Sequence, residues 1–315
     1  MRYLHVASIA VAVAALLTFG PDAQASGTPI TSCGQTVTTS AVLTKNLFCK
    51  GSPGIVVGAS GITIDLRGFT IRGDQTLNDD GVDDTGGFDG LAVKDGFVRN
   101  FSRGIQAENA DGVRVTNVVV SGNFSDGILV EGNAAQITSS STAADGNGGI
   151  RIDGDFAQIK SSTVFDDIVV VGADARVTSS TSTGGVFGID VVGGFAQIKS
   201  STASGNFDGI RVRGDAPTVT SSTVSGNKDD GMDIEGDGAV VRSSSASDNS
   251  GVGIFVSGNS ASLTGNQATL NGFLNYASDL SGLGIDVSFT SIAPVGTNTA
   301  LANDDPAECS PASLC

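Results

Sequence analysis

The segment from Gly73 to Asp89 is dense in carboxylates, among them Asp79, Asp80, Asp83 and Asp84. Oxygen ligands at that density suit Ca²⁺, a hard cation that takes six or more of them. The spacing is not that of an EF-hand loop, and the competing reading is a solvated acidic loop, an excursion too polar for a core. Imidazole chemistry is excluded. The one histidine is His5, inside a segment of residues 1–25 that reads as a secretory signal, so histidine bases, Ser-His-Asp triads and imidazole metal sites have no residue to use.

Repeating elements must carry whatever chemistry remains. The string Gly209-Ile210-Arg211-Val212-Arg213-Gly214 is followed, nine residues after Ile210, by Val219. Equivalent anchors stand at Ile128, Ile150, Ile168, Ile189, Met232 and Ile254, each with an apolar residue nine positions on. The anchors lie 22, 18, 21, 21, 22 and 22 residues apart, which marks a solenoid. Apolar residues alternate with variable ones, as in Ile150-x-Ile152, and no helical stripe competes with that strand pattern. At ~3.3 Å per residue, about 22 residues trace roughly 70 Å, room for three short strands and three turns. The expected fold is all-β: a single-stranded right-handed parallel β-helix, three strands and 18–23 residues per coil, its hand set by the crossover rule.

The strings Gly-Ile-x-Val-x-Gly, Ile-x-Ser-Ser-Thr and Ser-Gly-Asn-x-x-Asp-Gly-Ile, recurring over roughly residues 54–290, resemble the repeats of pectate-lyase-like and NosD-like β-helix proteins. The fold carries lyases, hydrolases, epimerases and plain binding proteins, so the resemblance speaks to architecture before activity. Outward positions of the first strand form two columns. One contains Arg151, Asp190, Arg211 and Asp233; the other contains Arg213 and Glu235. Pectate-lyase-like enzymes place acidic Ca²⁺ ligands and an arginine base on this face. The resemblance therefore implies Arg211 as the catalytic base of a Ca²⁺-dependent polysaccharide lyase, with Arg151, Arg213, Asp190, Asp233 and Glu235 contacting substrate. Taken by themselves, the same residues read as a ladder of opposite charges that stabilises a sheet surface. A copper role, which the NosD-like resemblance implies, finds no support: Met232 is an anchor and histidine is confined to the signal segment.

Length variation collects between the second strand and the next anchor, and variable loops mark the binding side of a solenoid. The short coil before Ile168 is expected to leave a dip there, and the long interval from Leu270 to Leu283 places Tyr276 beside it. Phe124, Phe165, Phe187 and Phe207 precede anchors, and Phe156 and Phe195 precede second strands. Such rows can stack sugar rings, although internal stacks filling the coil corners are the expected arrangement. Hydroxyl columns on the third strand resemble an ice-binding face, against the simpler reading of solvated strand.

Residues 26–53 are expected to cap the helix, residues 54–293 to form it and residues 294–315 to wrap its end. Cys33 and Cys49, and Cys309 and Cys315, are the expected staples of those ends in an oxidising compartment. A net charge of −16 argues against nucleic acid, and no second apolar run follows the signal. The expectation is a secreted or periplasmic monomer that binds extended carbohydrate, with a structural solenoid as the rival class and ice binding as a third.

Overall fold

The computed structural model describes residues 27–146, 148–272, 285–288, 298–301, 303, 309–310 and 312. Residues 1–25, Tyr276 and Cys315, and most of the expected wrap over 294–315, lie outside the described residues. Every strand pairing is parallel, and three ladders run along the molecule. Thirteen described strands form the first ladder, with Ile189–Val192, Ile210–Arg213 and Met232–Glu235 at its centre. The second and third ladders are joined into one sheet by two eight-residue strands, Ala92–Arg99 and Arg114–Ser121.

One coil explains the rest. Ile210 and Val212 from the first strand, Val219 from the second and Val224 from the third are all fully buried. Each is worth about 1.5–3 kcal/mol on burial, against a few tenths for an exposed pair, so the inward columns set the register. Anchor meets anchor in consecutive coils: Ile168 pairs with Ile189, Ile189 with Ile210, and Ile210 with Met232. Pro217 falls just before the strand Thr218–Thr220, where a ladder donor is not needed.

The Ile-x-Ser-Ser-Thr string makes the corner between the second and third strands. Its first serine adopts positive φ, about 50° at Ser179, Ser200 and Ser221. The second serine is buried, and its hydroxyl accepts an N–H from the preceding coil, as Ser222 does from Ser201 at 3.3 Å. Asparagines do the same at the third turn. Asn206, Asn227, Asn249 and Asn271 form a buried ladder in which the side-chain carbonyls of Asn227, Asn249 and Asn271 each accept both the backbone N–H and the amide of the asparagine one coil earlier, and that of Asn206 accepts the Gly185 N–H. These side chains satisfy backbone N–H groups of the buried turns.

Two expectations need revision. The acidic stretch after Gly73 is not wholly an excursion, because Val82–Asp84 is a first-ladder strand paired to Ile55–Val57 and Ile105–Ala107. Val82 and Asp84 both point inward, so a carboxylate occupies a core position. The coiling also starts before Gly54: Thr28–Ile30 pairs with Ala41–Leu43, and Gln35–Val37 with Ile55–Val57. The disulfide Cys33–Cys49 clasps this first coil, and Cys309 is disulfide-bonded as well.

Candidate functional site

Register puts the predicted charge columns side by side. Asp190 pairs with Arg211, Arg211 with Asp233, and Arg213 with Glu235. The Arg211 guanidinium grips Asp190 through two bonds, Nε to Oδ1 at 3.1 Å and Nη2 to Oδ2 at 2.8 Å. Its carbon lies 3.4 Å from the centre of the Phe187 ring, and Arg213 reaches the same carboxylate at 3.7 Å. Burial works against the Arg211 charge, yet the hydrogen bonds and charge of Asp190 outweigh it and raise its pKa. The geometry of Arg211 in this arrangement is that of a clamp on Asp190.

Asp233, on the other side of Arg211, has a buried Oδ1 with no hydrogen-bond partner. Burial, with Glu235 and Asp208 adding repulsion, pushes its carboxyl up to about 6 against the pull of Arg211 and Arg213. Asp230 is pushed up to about 7 by burial and by Asp229, Asp233 and Asp208, although the Val252 N–H bonds its Oδ1 at 2.7 Å. Asp208 and Asp230 were not singled out from sequence. Asp230 is the Asp of an Asn-x-x-Asp-Gly string and Asp208 that of its shorter form Asn-x-Asp-Gly, legible as turn signals but not as parts of this cluster.

Arg151 stays outside the group. It bonds Asp153 of its own strand at 2.9 and 3.1 Å, and Val169 separates it from Asp190 in the ladder. Three of the four aspartates proposed for Ca²⁺ already accept backbone N–H bonds. Asp80 accepts the Arg103 N–H, Asp83 that of Thr85, and Asp84 that of Phe88, while Asp79 is half-buried at the surface. Among the described residues no group of three or more His, Cys, Asp or Glu side chains is arranged to hold a metal ion.

Beside the charge cluster, the expected dip over the short coil is present. It is a cleft of about 370 Å³ whose floor includes Gly146, Gly148, Gly184 and Gly185 and whose walls include Asp166, Asp167 and Phe207. Here the asparagine ladder is interrupted: Phe165-Asp166-Asp167 and Gly184-Gly185-Val186 stand between the Gly205-Asn206 turn on one side and Asp145, followed by Gly122-Asn123, on the other. Asp166 is strained, with φ 112°, and burial raises the carboxyls of both Asp166 and Asp167. Aromatics line this edge from outside. Phe124, Phe165 and Phe207 are 62%, 52% and 47% exposed, and Phe156 and Phe195, on the turns before second strands, are exposed too. The expectation of internal stacks is therefore overturned, because the coil corners are filled instead by the buried serines and asparagines.

Residues 148–300 match the family described as the right handed beta helix region. The described residues fold as a right-handed parallel β-helix. No curated protein matches it. Among solved structures, this β-helix is similar to the catalytic unit of a thermostable GH87 α-1,3-glucanase from Streptomyces thermodiastaticus, with 11% identity and a TM-score of 0.47 over 87% of this chain. It spans 61% of that glucanase chain. The A-module of the Azotobacter vinelandii mannuronan C-5 epimerase AlgE6 gives 14% identity and 0.45, with 88% and 85% of the two chains covered. The Dettilon tailspike protein gives 15% and 0.44, with 83% and 55% covered.

Proposed function

We propose that this β-helix protein binds an extended carbohydrate along the turn side of the first ladder, in the cleft over the short coil. The observation that carries the reading is the meeting of Phe207, half in solvent, with the Asp166 and Asp167 carboxylates in one glycine-lined cleft, beside which the exposed Phe165 ring lies against Gly184. Large apolar side chains left in water are the informative exception on a surface, and aromatic faces stack on the C–H faces of sugar rings. Carboxylates beside them accept hydrogen bonds from sugar hydroxyls. Asp190, Arg211, Arg213, Asp233 and Glu235 extend the same surface along the helix axis.

A second reading, cleavage of the bound chain, draws on Asp230 and Asp233. A carboxyl that keeps its proton near neutral pH next to one that has lost it is the requirement for acid-assisted glycosidic cleavage. In the lyase alternative Arg211 must leave its two-bond clamp on Asp190 before it serves as a base. Export is supported by the Cys33–Cys49 disulfide, which belongs to an oxidising compartment. Among the described residues no helix is long and apolar enough to cross a membrane.

The test is retention of the protein on a panel of neutral and acidic polysaccharides, with Ca²⁺ or chelator, while reducing and unsaturated ends are followed. Retention that falls about tenfold in the Phe165→Ala/Phe207→Ala double variant, with an unchanged melting temperature, is the expected result. A blank panel, or retention indifferent to both phenylalanines, returns the structural solenoid as the better description. New reducing ends that disappear in Asp230→Asn establish cleavage.

A further inference from the structure

A second surface lies on the opposite end and a different ladder. On the third ladder of the first coils, Leu47–Phe48, Thr70–Arg72 and the end of Ala92–Arg99 stack in register. Phe48 pairs with Arg72, and Arg72 pairs with Arg99, so two guanidinium-bearing residues occupy directly adjacent positions. Neighbouring strands are ~4.8 Å apart, and like charges so placed repel. No carboxylate among the described residues lies within ion-pair distance of either arginine. The Arg99 Nε is buried without a hydrogen-bond partner. Each guanidinium instead sits 5.6 Å from an aromatic centroid, Arg72 over Phe48 and Arg99 over Phe97.

This arrangement is unexpected in a chain of net charge −16. The nearest carboxylate in sequence, Asp74, is turned away and accepts bonds from the Thr76 hydroxyl and N–H and from the Gly51 N–H. Exposed Lys45 and Lys50 flank the strand that carries Phe48, adding positive charge at the rim. An open groove of about 600 Å³ runs over the site, lined by Asn46, Phe48, Thr70, Arg72, Arg99 and Asn100. That volume is in the range of small-molecule sites.

We propose that this groove binds an acidic sugar residue. Its acid group bridges Arg72 and Arg99, relieving their repulsion and satisfying the buried Nε, as guanidiniums do with carboxylate or sulfate oxygens. Its ring lies on Phe48, which is 64% exposed. Asn46, Thr70 and Asn100 supply polar side chains for the hydroxyls. The site is separate from the cleft over the short coil and does not depend on it.

Calorimetric titration with a uronate trisaccharide, a sulfated galactan trisaccharide, a neutral glucan trisaccharide and inorganic sulfate tests the assignment. An acidic trisaccharide should bind at least tenfold tighter than the neutral one, with affinity falling as salt rises. The two acidic arms identify whether carboxylate or sulfate is preferred. Arg99→Gln and Arg72→Gln should each lower that affinity about tenfold, and Phe48→Ala several-fold. Phe165→Ala/Phe207→Ala should leave it unchanged, which separates this site from the carbohydrate cleft. Both arginine variants face outward, and their ligand-free melting temperatures should stay level or rise as the repulsion is removed. Absence of acidic-sugar binding overturns the proposal. So does binding indifferent to the arginines, or inorganic sulfate binding as tightly with no effect of Phe48→Ala.

Discussion

Asp190 and Arg211 occupy register-paired positions on adjacent first-ladder strands, and their side chains close a two-bond clamp with Phe187 against the guanidinium. The Asp190 side chain is only 7% exposed and that of Arg211 16%, so the pair is not the surface ladder of small worth that spacing alone implies. Removing one partner strands the other charge in a partly dry site. Arg211→Ala should cost on the order of 2 kcal/mol, a discount from the 3–5 expected of a fully buried pair. Thermal unfolding should register a loss of roughly 3–4 °C. Arg211→Lys should recover only part of it, because a lysine cannot make the fork. An unchanged melting temperature would mean that the clamp is energetically neutral.

Stability should rise as pH falls from about 7 towards 4. Asp80, Asp84, Asp145 and Asp233 are pushed up to about 6 and Asp230 to about 7, in every case chiefly by burial. Between the unfolded carboxyl value near 3.8 and these folded values, the native state binds more protons than the unfolded chain. The folding free energy therefore weakens as pH rises through this window and levels off above it. Relief of self-repulsion in a −16 chain acts in the same direction. Melting curves at pH 5 and pH 8 check this, and a higher transition at pH 8 would contradict it.

Asp145 offers a single-site version of that test. It stands where the ladder elsewhere has asparagine, and its Oδ1 accepts both the N–H and the amide of Asn123 at 2.8 and 2.7 Å. Its Oδ2 is buried without a partner. Asp145→Asn keeps the accepting oxygen and replaces the buried charge with an amide, so it should raise the melting temperature at pH 8 and flatten the pH dependence. Destabilisation at pH 8 would show that the orphaned oxygen is compensated.

The column of glycines that closes the first strand leaves no room for a side chain. A Cβ on Gly154 would lie 2.1 Å from the Gly132 carbonyl oxygen, which belongs to rigid backbone one coil away. Gly154→Ala should therefore cost about 1–3 kcal/mol or more through displaced coils, read by denaturant unfolding. An alanine tolerated within 0.5 kcal/mol, the usual span for surface changes, would imply that the stack gives way freely.

The Cys33–Cys49 bond clasps the first coil only, so its loss should act locally. In Cys33→Ser/Cys49→Ser, amide exchange should accelerate across Thr28–Phe48 while the strands around Ile189 and Ile210 stay protected. Uniform acceleration along the helix would argue for a single cooperative unit.

The alternation Ile210-x-Val212, the nine-residue offset to Val219 and the 21–22-residue recurrence of anchors determined the coil, the ladders and the inward columns, because strand burial is a local, two-residue rule. The same spacing placed Asp190, Arg211 and Asp233 in one column, and the 18-residue interval before Ile168 located the cleft. Tertiary structure decided what the turns do. Phe207 lies outside the alternating strands, where no periodicity assigns a side, and the asparagine ladder that fills its corner leaves it in solvent, while Phe165 ends the third-ladder strand Thr163–Phe165 at an outward position. Asp84 lies inward because Val82–Asp84 is held between Ile55–Val57 and Ile105–Ala107, a pairing across more than twenty residues that its polar composition conceals. The rank of Asp230, Asp208 and Asp233 as neighbours, and the stacking of Arg72 on Arg99, likewise depend on coils of unequal length coming into register. Contacts of that kind are a property of the stacked solenoid and of no single repeat.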